Sequence, residues 1–190
     1  MEHTTDQELI ARFRTGDYPE AFSVILSRHI KPVYNFIYRL TLETESAEDL
    51  TQETFVKVWK KIDHYNPKEA SFKTWLFRIA RNTTIDFLRQ KKHIAFSAFE
   101  DADGANILTD TLADPTPDIE ETLSRTMDAQ QIEKLLERIS PMDREILLMH
   151  YHHNLTFEEI GAVLTTSPNT VKSRHRRALL NLKKKYSAPR

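Results

Sequence analysis

Residues 167–190, SPNTVKSRHRRALLNLKKKYSAPR, hold eight Lys or Arg and no Asp or Glu. Side chains of this kind bind polyanions. On a helix, Val171, His175, Ala178 and Leu182 recur on one face, while Lys172, Ser173, Arg176 and Arg177 fall on the other, near its start. Arg and Lys placed there reach guanine edges in a major groove, and Ser bonds base or phosphate. Lys183, Lys184 and Lys185 are too clustered to read bases and suit phosphate attraction, which positions a protein without sequence preference. With no acid nearby to form helix pairs, a plain solvated surface helix accounts for the run less well. A second basic run, FKTWLFRIARNTTIDFLRQKK at 72–92, carries six Lys or Arg against the single acid Asp86.

Covalent and metal chemistry find little support. The chain has no Cys, so disulfides, thiolate zinc sites and a Cys nucleophile are excluded. Its three Gly (Gly16, Gly104, Gly161) cannot be spaced into GxGxxG or a P-loop. His150, His152 and His153 straddle a turn at irregular spacing, which reads as a surface cluster rather than a metal site. His175, on the apolar face, reads as a packed histidine with a hydrogen-bond partner. No cofactor is expected.

The elements that carry the basic runs are helical. Scarce Gly and few β-branched alternations predict an all-α chain of two small helical domains. The net charge is only −1 because acid collects at 93–126, with eight Asp or Glu against one Arg and a DPTPD turn at 114–118. That stretch reads as a flexible, extended acidic linker, in the simplest case a solvated spacer. It divides an N-terminal block, 1–92, from a C-terminal block, 127–190.

In the first block, Phe22, Ile25, Leu26, Ile30, Val33, Phe36, Ile37 and Leu40 recur at helical spacing. A further helix, AEDLTQETFVKVWKKI, is predicted from Ser46 as N-cap. Phe55, Val58, Trp59 and Ile62 make its apolar stripe, and Asp49, Gln52, Glu53 and Val56 lie off it. After a break at Asn66-Pro67, the basic helix turns Phe72, Trp75, Leu76, Ile79, Thr83 and Phe87 inward. In the second block MDAQQIEKLLERI reads as a helix, and Ser140-Pro141 opens PMDREILLMHY. Asn154 suits a positive-φ turn, and Thr156 with Glu159 spells a capping box. A short helix to Leu164, a turn, and the basic helix from Ser167-Pro168 make a helix-turn-helix, with Gly161 where the two helices approach.

Four segments in order resemble a bacterial RNA polymerase sigma factor of the extracytoplasmic-function (ECF) group of the sigma-70 family. They are AEDLTQETFVKVW (47–59), FKTWLFRIARNTTIDFLR (72–89), ISPMDREILLMHYHHNLTFEEIGAVL (139–164) and SPNTVKSRHRRALLNL (167–182). The resemblance implies sigma region 2 at 1–92 and region 4 at 127–190. It implies that Asp49, Gln52 and Glu53 dock on the β′ clamp helices of core RNA polymerase and that region 4 meets the β flap. It assigns the melted minus-10 promoter strand to Lys73, Arg78, Arg81, Asn82 and Arg89, with Asn82 and the 66–71 loop holding a flipped base. It assigns minus-35 duplex to Asn169, Thr170, Lys172, Ser173, Arg176 and Arg177. It also implies an anti-sigma partner, and a linker that threads the polymerase channels. The chain departs from the family's usual pattern at His175, Leu179 and Asn169.

Three functions therefore compete. A promoter-specificity subunit ranks first. A stand-alone helix-turn-helix regulator ranks second; it predicts palindromic duplex binding without polymerase. A helical hydrolase ranks last, since neither HExxH nor a paired nucleophile and base is present. The opening MEHTTDQELIARF lacks a basic n-region before an apolar run, and no stretch approaches the roughly 18 apolar residues of a membrane span. A cytoplasmic protein without membrane insertion is expected.

Overall fold

A computed structural model describes residues 4–16, 18–91 and 139–186. The linker at 93–126 and all but the last residue, Ile139, of the helix expected at 127–139 lie outside those residues. Every regular element among the described residues is helical. Helix α1 spans Asp6–Arg14, α2 Tyr18–Thr41, α3 Thr44–Lys61 and α4 Phe72–Lys91. In the second block α5 spans Pro141–Leu147, α6 Phe157–Leu164 and α7 Pro168–Tyr186.

The termini of these helices follow from side-chain chemistry. Thr5 and Glu8 close a capping box on α1, and Thr156 and Glu159 close the expected one on α6. The Ser140 hydroxyl accepts from the Asp143 amide, with Pro141 in the first turn of α5. Asn154 takes φ 48° in the turn before α6. The start of α3 differs from expectation. Leu42 turns the chain at φ 57°, the helix begins at Thr44, and the Ser46 hydroxyl donates to Glu43 instead of capping. The PMDREILLMHY helix also changes pitch, because Leu148–His152 form a wider π-helical turn whose end is closed by the His153 amide on the Leu148 carbonyl at 3.2 Å.

Helices α1 to α4 pack around Ile25, Val33, Phe36, Leu50, Val58 and Leu76, all nearly or wholly removed from water. Arg14 donates to the carbonyls of Ile62 (2.8 Å) and Tyr65 (2.6 Å), which fixes the descent from α3 into the loop that precedes α4. Helices α5 to α7 enclose Ile146, Met149, Ile160, Val171 and Ala178. Leu179, one of the three departures from the family pattern, is a core residue here, 4% exposed. The two blocks touch, mainly through α6 lying on α4, and their buried side chains form one continuous apolar cluster.

Candidate nucleic-acid and polymerase interfaces

On α3, the inward residues are Ala47, Leu50, Thr51, Thr54, Phe55 and Val58. Asp49, Gln52 and Glu53 face solvent, as their phase demands. Glu53 pairs with Lys57 at 2.8 Å one turn on, and Lys57 donates to Thr83 of α4, so the acidic edge is tied to the basic helix behind it. Trp59, expected in the core, is 44% exposed. Its ring stands edge-on to Phe13 (4.9 Å) and Phe22 (4.8 Å), while its outer face, with exposed Val56 and Ile30, borders an apolar groove of about 410 Å³. A half-buried aromatic beside polar contacts is the usual form of a docking anchor. The helical period misplaces Trp59 because the residue sits on the boundary between stripe and surface.

Helix α4 is buried on two sides. Phe72, Leu76 and Thr83 face inward as expected, and Phe77, Ala80 and Thr84 are buried as well. Three of its five candidate strand contacts are engaged by the second block. Lys73 donates to the His153 carbonyl. Arg78 donates to the Ala162 carbonyl at 2.6 Å. Arg81 donates to the Glu145 carboxylate at 2.9 Å, with side-chain exposures of 17% and 2%. The hydroxyls of Ser71 and Thr74 both meet Glu159 at 3.0 Å. Asn82 and Arg89 remain exposed.

His153 corrects the surface-cluster expectation. It is buried, with its ring 4.4 Å from Phe77 and 5.7 Å from Phe36. Loss of water, with His152, Lys73 and Arg39 nearby, lowers its pKa to about 3. Burial raises the Glu145 carboxyl against the pull of Arg81. No sequence signal marked Glu145 or Glu159 as contacts of α4, since pairing across 64 and 85 residues leaves no local pattern.

The helix-turn-helix is tightly joined. Thr165 ends α6 at φ 56°, and a Cβ on Gly161 would lie 2.8 Å from the Thr166 carbonyl oxygen. The Ser167 hydroxyl accepts from the Thr170 amide, capping α7. Asn169, Lys172, Ser173 and Arg177 are exposed on α7, whereas Thr170 and Arg176 are half-buried. Lys172 lies 3.8 Å from Glu158 in a solvated pair. His175 is packed as expected, its Nε2 2.9 Å from the Tyr151 hydroxyl and its ring against His150 and Phe157.

Residues 25–94 match Sigma-70 region 2, and residues 129–182 match Sigma-70, region 4. The ECF RNA polymerase sigma factor SigE of Mycolicibacterium smegmatis is 31% identical over 89% of this chain and 63% of its own length. The ECF RNA polymerase sigma factor SigW of Bacillus subtilis is 30% identical over 92% of this chain and 93% of its own. Among solved structures, the sigma factor RpoE of Bartonella quintana, in complex with the anti-sigma factor NepR, aligns at TM-score 0.64 and 26% identity, covering 89% of this chain and 98% of that one.

Proposed function

The chain belongs to the sigma-70 family of RNA polymerase sigma factors, in its extracytoplasmic-function group, and from that premise we propose that it is the promoter-specificity subunit of a holoenzyme. It binds core RNA polymerase through the acidic edge of α3, captures the melted minus-10 strand on α4 and reads minus-35 duplex with α7. It works in the cytoplasm beside the polymerase and acts as a regulatory subunit without catalysing a reaction of its own. The single observation that supports this reading is the order of two matched regions, each carrying a basic helix, on either side of an acidic stretch.

The physics fits two kinds of DNA. Extruding a base costs a few kcal/mol, so its pocket must be rigid and partly apolar. The 66–71 loop is held by Arg14 on the Tyr65 carbonyl, by the Tyr65 hydroxyl on the Ala70 carbonyl, and by Asn66 on Glu69. It stands before a helix anchored by Phe72. Duplex reading needs the start of a helix presented to a groove, and Asn169, Lys172, Ser173 and Arg177 stand there in solvent. Binding either element makes the search for the other local. The domain limits 1–92 and 127–190 follow this division, and residues 93–126 bridge the two through the polymerase channels. An anti-sigma partner holds the chain inactive until a signal releases it.

Run-off transcription with core polymerase, followed by mapping of start sites, tests the proposal. Initiation that depends on this chain is the expected result. Tight, specific operator binding with no polymerase, and no initiation, would replace the subunit by a stand-alone regulator.

A further inference from the structure

Three of the four cations that the proposed function gives to the melted strand are already bonded, and what they are bonded to resembles a nucleic-acid backbone. Lys73, Arg78 and Arg81 are spaced along α4, facing the second block. Opposite them stand three oxygen acceptors: the His153 carbonyl, the Ala162 carbonyl and the Glu145 carboxylate. Glu159 adds a second carboxylate on the Ser71 and Thr74 hydroxyls, which themselves suit a phosphate oxygen. We propose that the second block is an internal competitor for the minus-10 strand, with Glu145 and Glu159 occupying on α4 the places of DNA phosphates.

Three features support competition over permanent packing. The contact is polar where it covers the cations, and a buried ion pair between two surfaces gives register more than affinity, so it can exchange for another anion. The closed arrangement also leaves Arg78 incompletely satisfied, because its Nε is buried without a hydrogen-bond partner. A phosphate, which accepts from two guanidinium nitrogens at once, would fill that vacancy. Finally, the masking is one-sided. Asn82 and Arg89 on α4, Asn169, Lys172, Ser173 and Arg177 on α7, and Asp49, Gln52 and Glu53 on α3 all stay in solvent. The closed chain can therefore meet polymerase and duplex first, and expose Lys73, Arg78 and Arg81 only when the blocks separate.

The inference rests on the proposed role of α4 in strand binding. Apparent affinity for single-stranded DNA then equals the intrinsic affinity scaled by the open fraction. The absence of Cys allows one dye pair to be placed at Ser23→Cys and Asn181→Cys, both exposed and away from the contact. Full-length chain is titrated with a degenerate single-stranded DNA 20-mer, with energy transfer and anisotropy read together. In the unaltered chain, transfer should fall as DNA binds. Glu145→Gln should lower transfer without DNA and tighten DNA binding about tenfold or more, and Glu145→Lys should do so further. Glu159→Gln, which keeps the helix cap, should act in the same direction. DNA binding at saturation with unchanged transfer, or equal affinity in all folded variants, overturns the competition. Opened variants with no affinity for the 20-mer overturn the assignment of α4 itself, which is a separate result. Circular dichroism of each variant identifies any that fails to fold, and the unaltered chain's own titration then decides.

Discussion

Gly161 and Thr166 meet twice: the Thr166 amide donates to the Gly161 carbonyl at 2.9 Å, and the Thr166 carbonyl oxygen lies 2.8 Å from where a Cβ on Gly161 would stand. Backbone fills that place, so a side chain cannot be accommodated by a rotamer change. Gly161→Ala gains roughly 1 kcal/mol of helix propensity and loses about 1–3 kcal/mol to overpacking. The expected net result is a loss of about 1 kcal/mol in urea unfolding. Unchanged or increased stability would refute the close approach.

The residue that closes the same turn is strained in a correctable way. Thr165 is β-branched and sits at φ 56°, a region where such residues are rare. Thr165→Asn should add about 1 kcal/mol and raise the melting temperature by roughly 2–4 °C. A lower melting point would show that the Thr side chain contributes a contact that outweighs the strain.

Asp49 is exposed on α3. Asp49→Lys should therefore leave the fold intact while abolishing assembly with core polymerase, measured by co-purification. Holoenzyme formation by a folded Asp49→Lys chain would remove α3 as the docking edge.

Lys172 and Arg177 separate base reading from phosphate attraction. The Lys172–Glu158 pair at 3.8 Å is solvated and holds Lys172 only weakly. If either side chain reads a base, its replacement by Ala costs about 1–3 kcal/mol on the preferred promoter and relaxes preference at one position. Uniform weakening on every sequence, with a salt slope reduced by about one, identifies a phosphate contact instead.

Acid should loosen the contact between the blocks. The buried ring of His153 has its pKa lowered to about 3, against 6.5 when exposed. Between pH 6.5 and 5 the exposed ring gains a proton that the packed ring refuses, so the packed form loses stability. The loss is about 2 kcal/mol at pH 5. Glu145 acts with the opposite sign, since burial raises its carboxyl. Chemical unfolding of the unaltered chain and His153→Gln across this range isolates the histidine. Equal pH slopes in the two chains would refute its role.

The fold was largely legible because its signals are local. The Thr156–Glu159 box, Ser140-Pro141, Asn154 and the inward stripe of α7 each lie within a few residues of the element they define. The resemblance added roles that spacing alone leaves open. What escaped was set by distant packing. Phe77 and Ala80 lie on the polar side of the period yet are buried, Phe77 between Phe36 of α2 and His153 of the second block. His153 reads as surface until Phe36 and Phe77 enclose it. Trp59 belongs to the stripe by phase, but the groove beside it has no occupant among the described residues.

Glu159 divides its two oxygens between tasks: one accepts from the Thr156 amide within its own helix, the other from Ser71 and Thr74 of the opposite block. Parting the blocks breaks only the second set. The carboxylate keeps its amide partner, so the DNA-reading module can swing away already folded, and undocking need not involve melting.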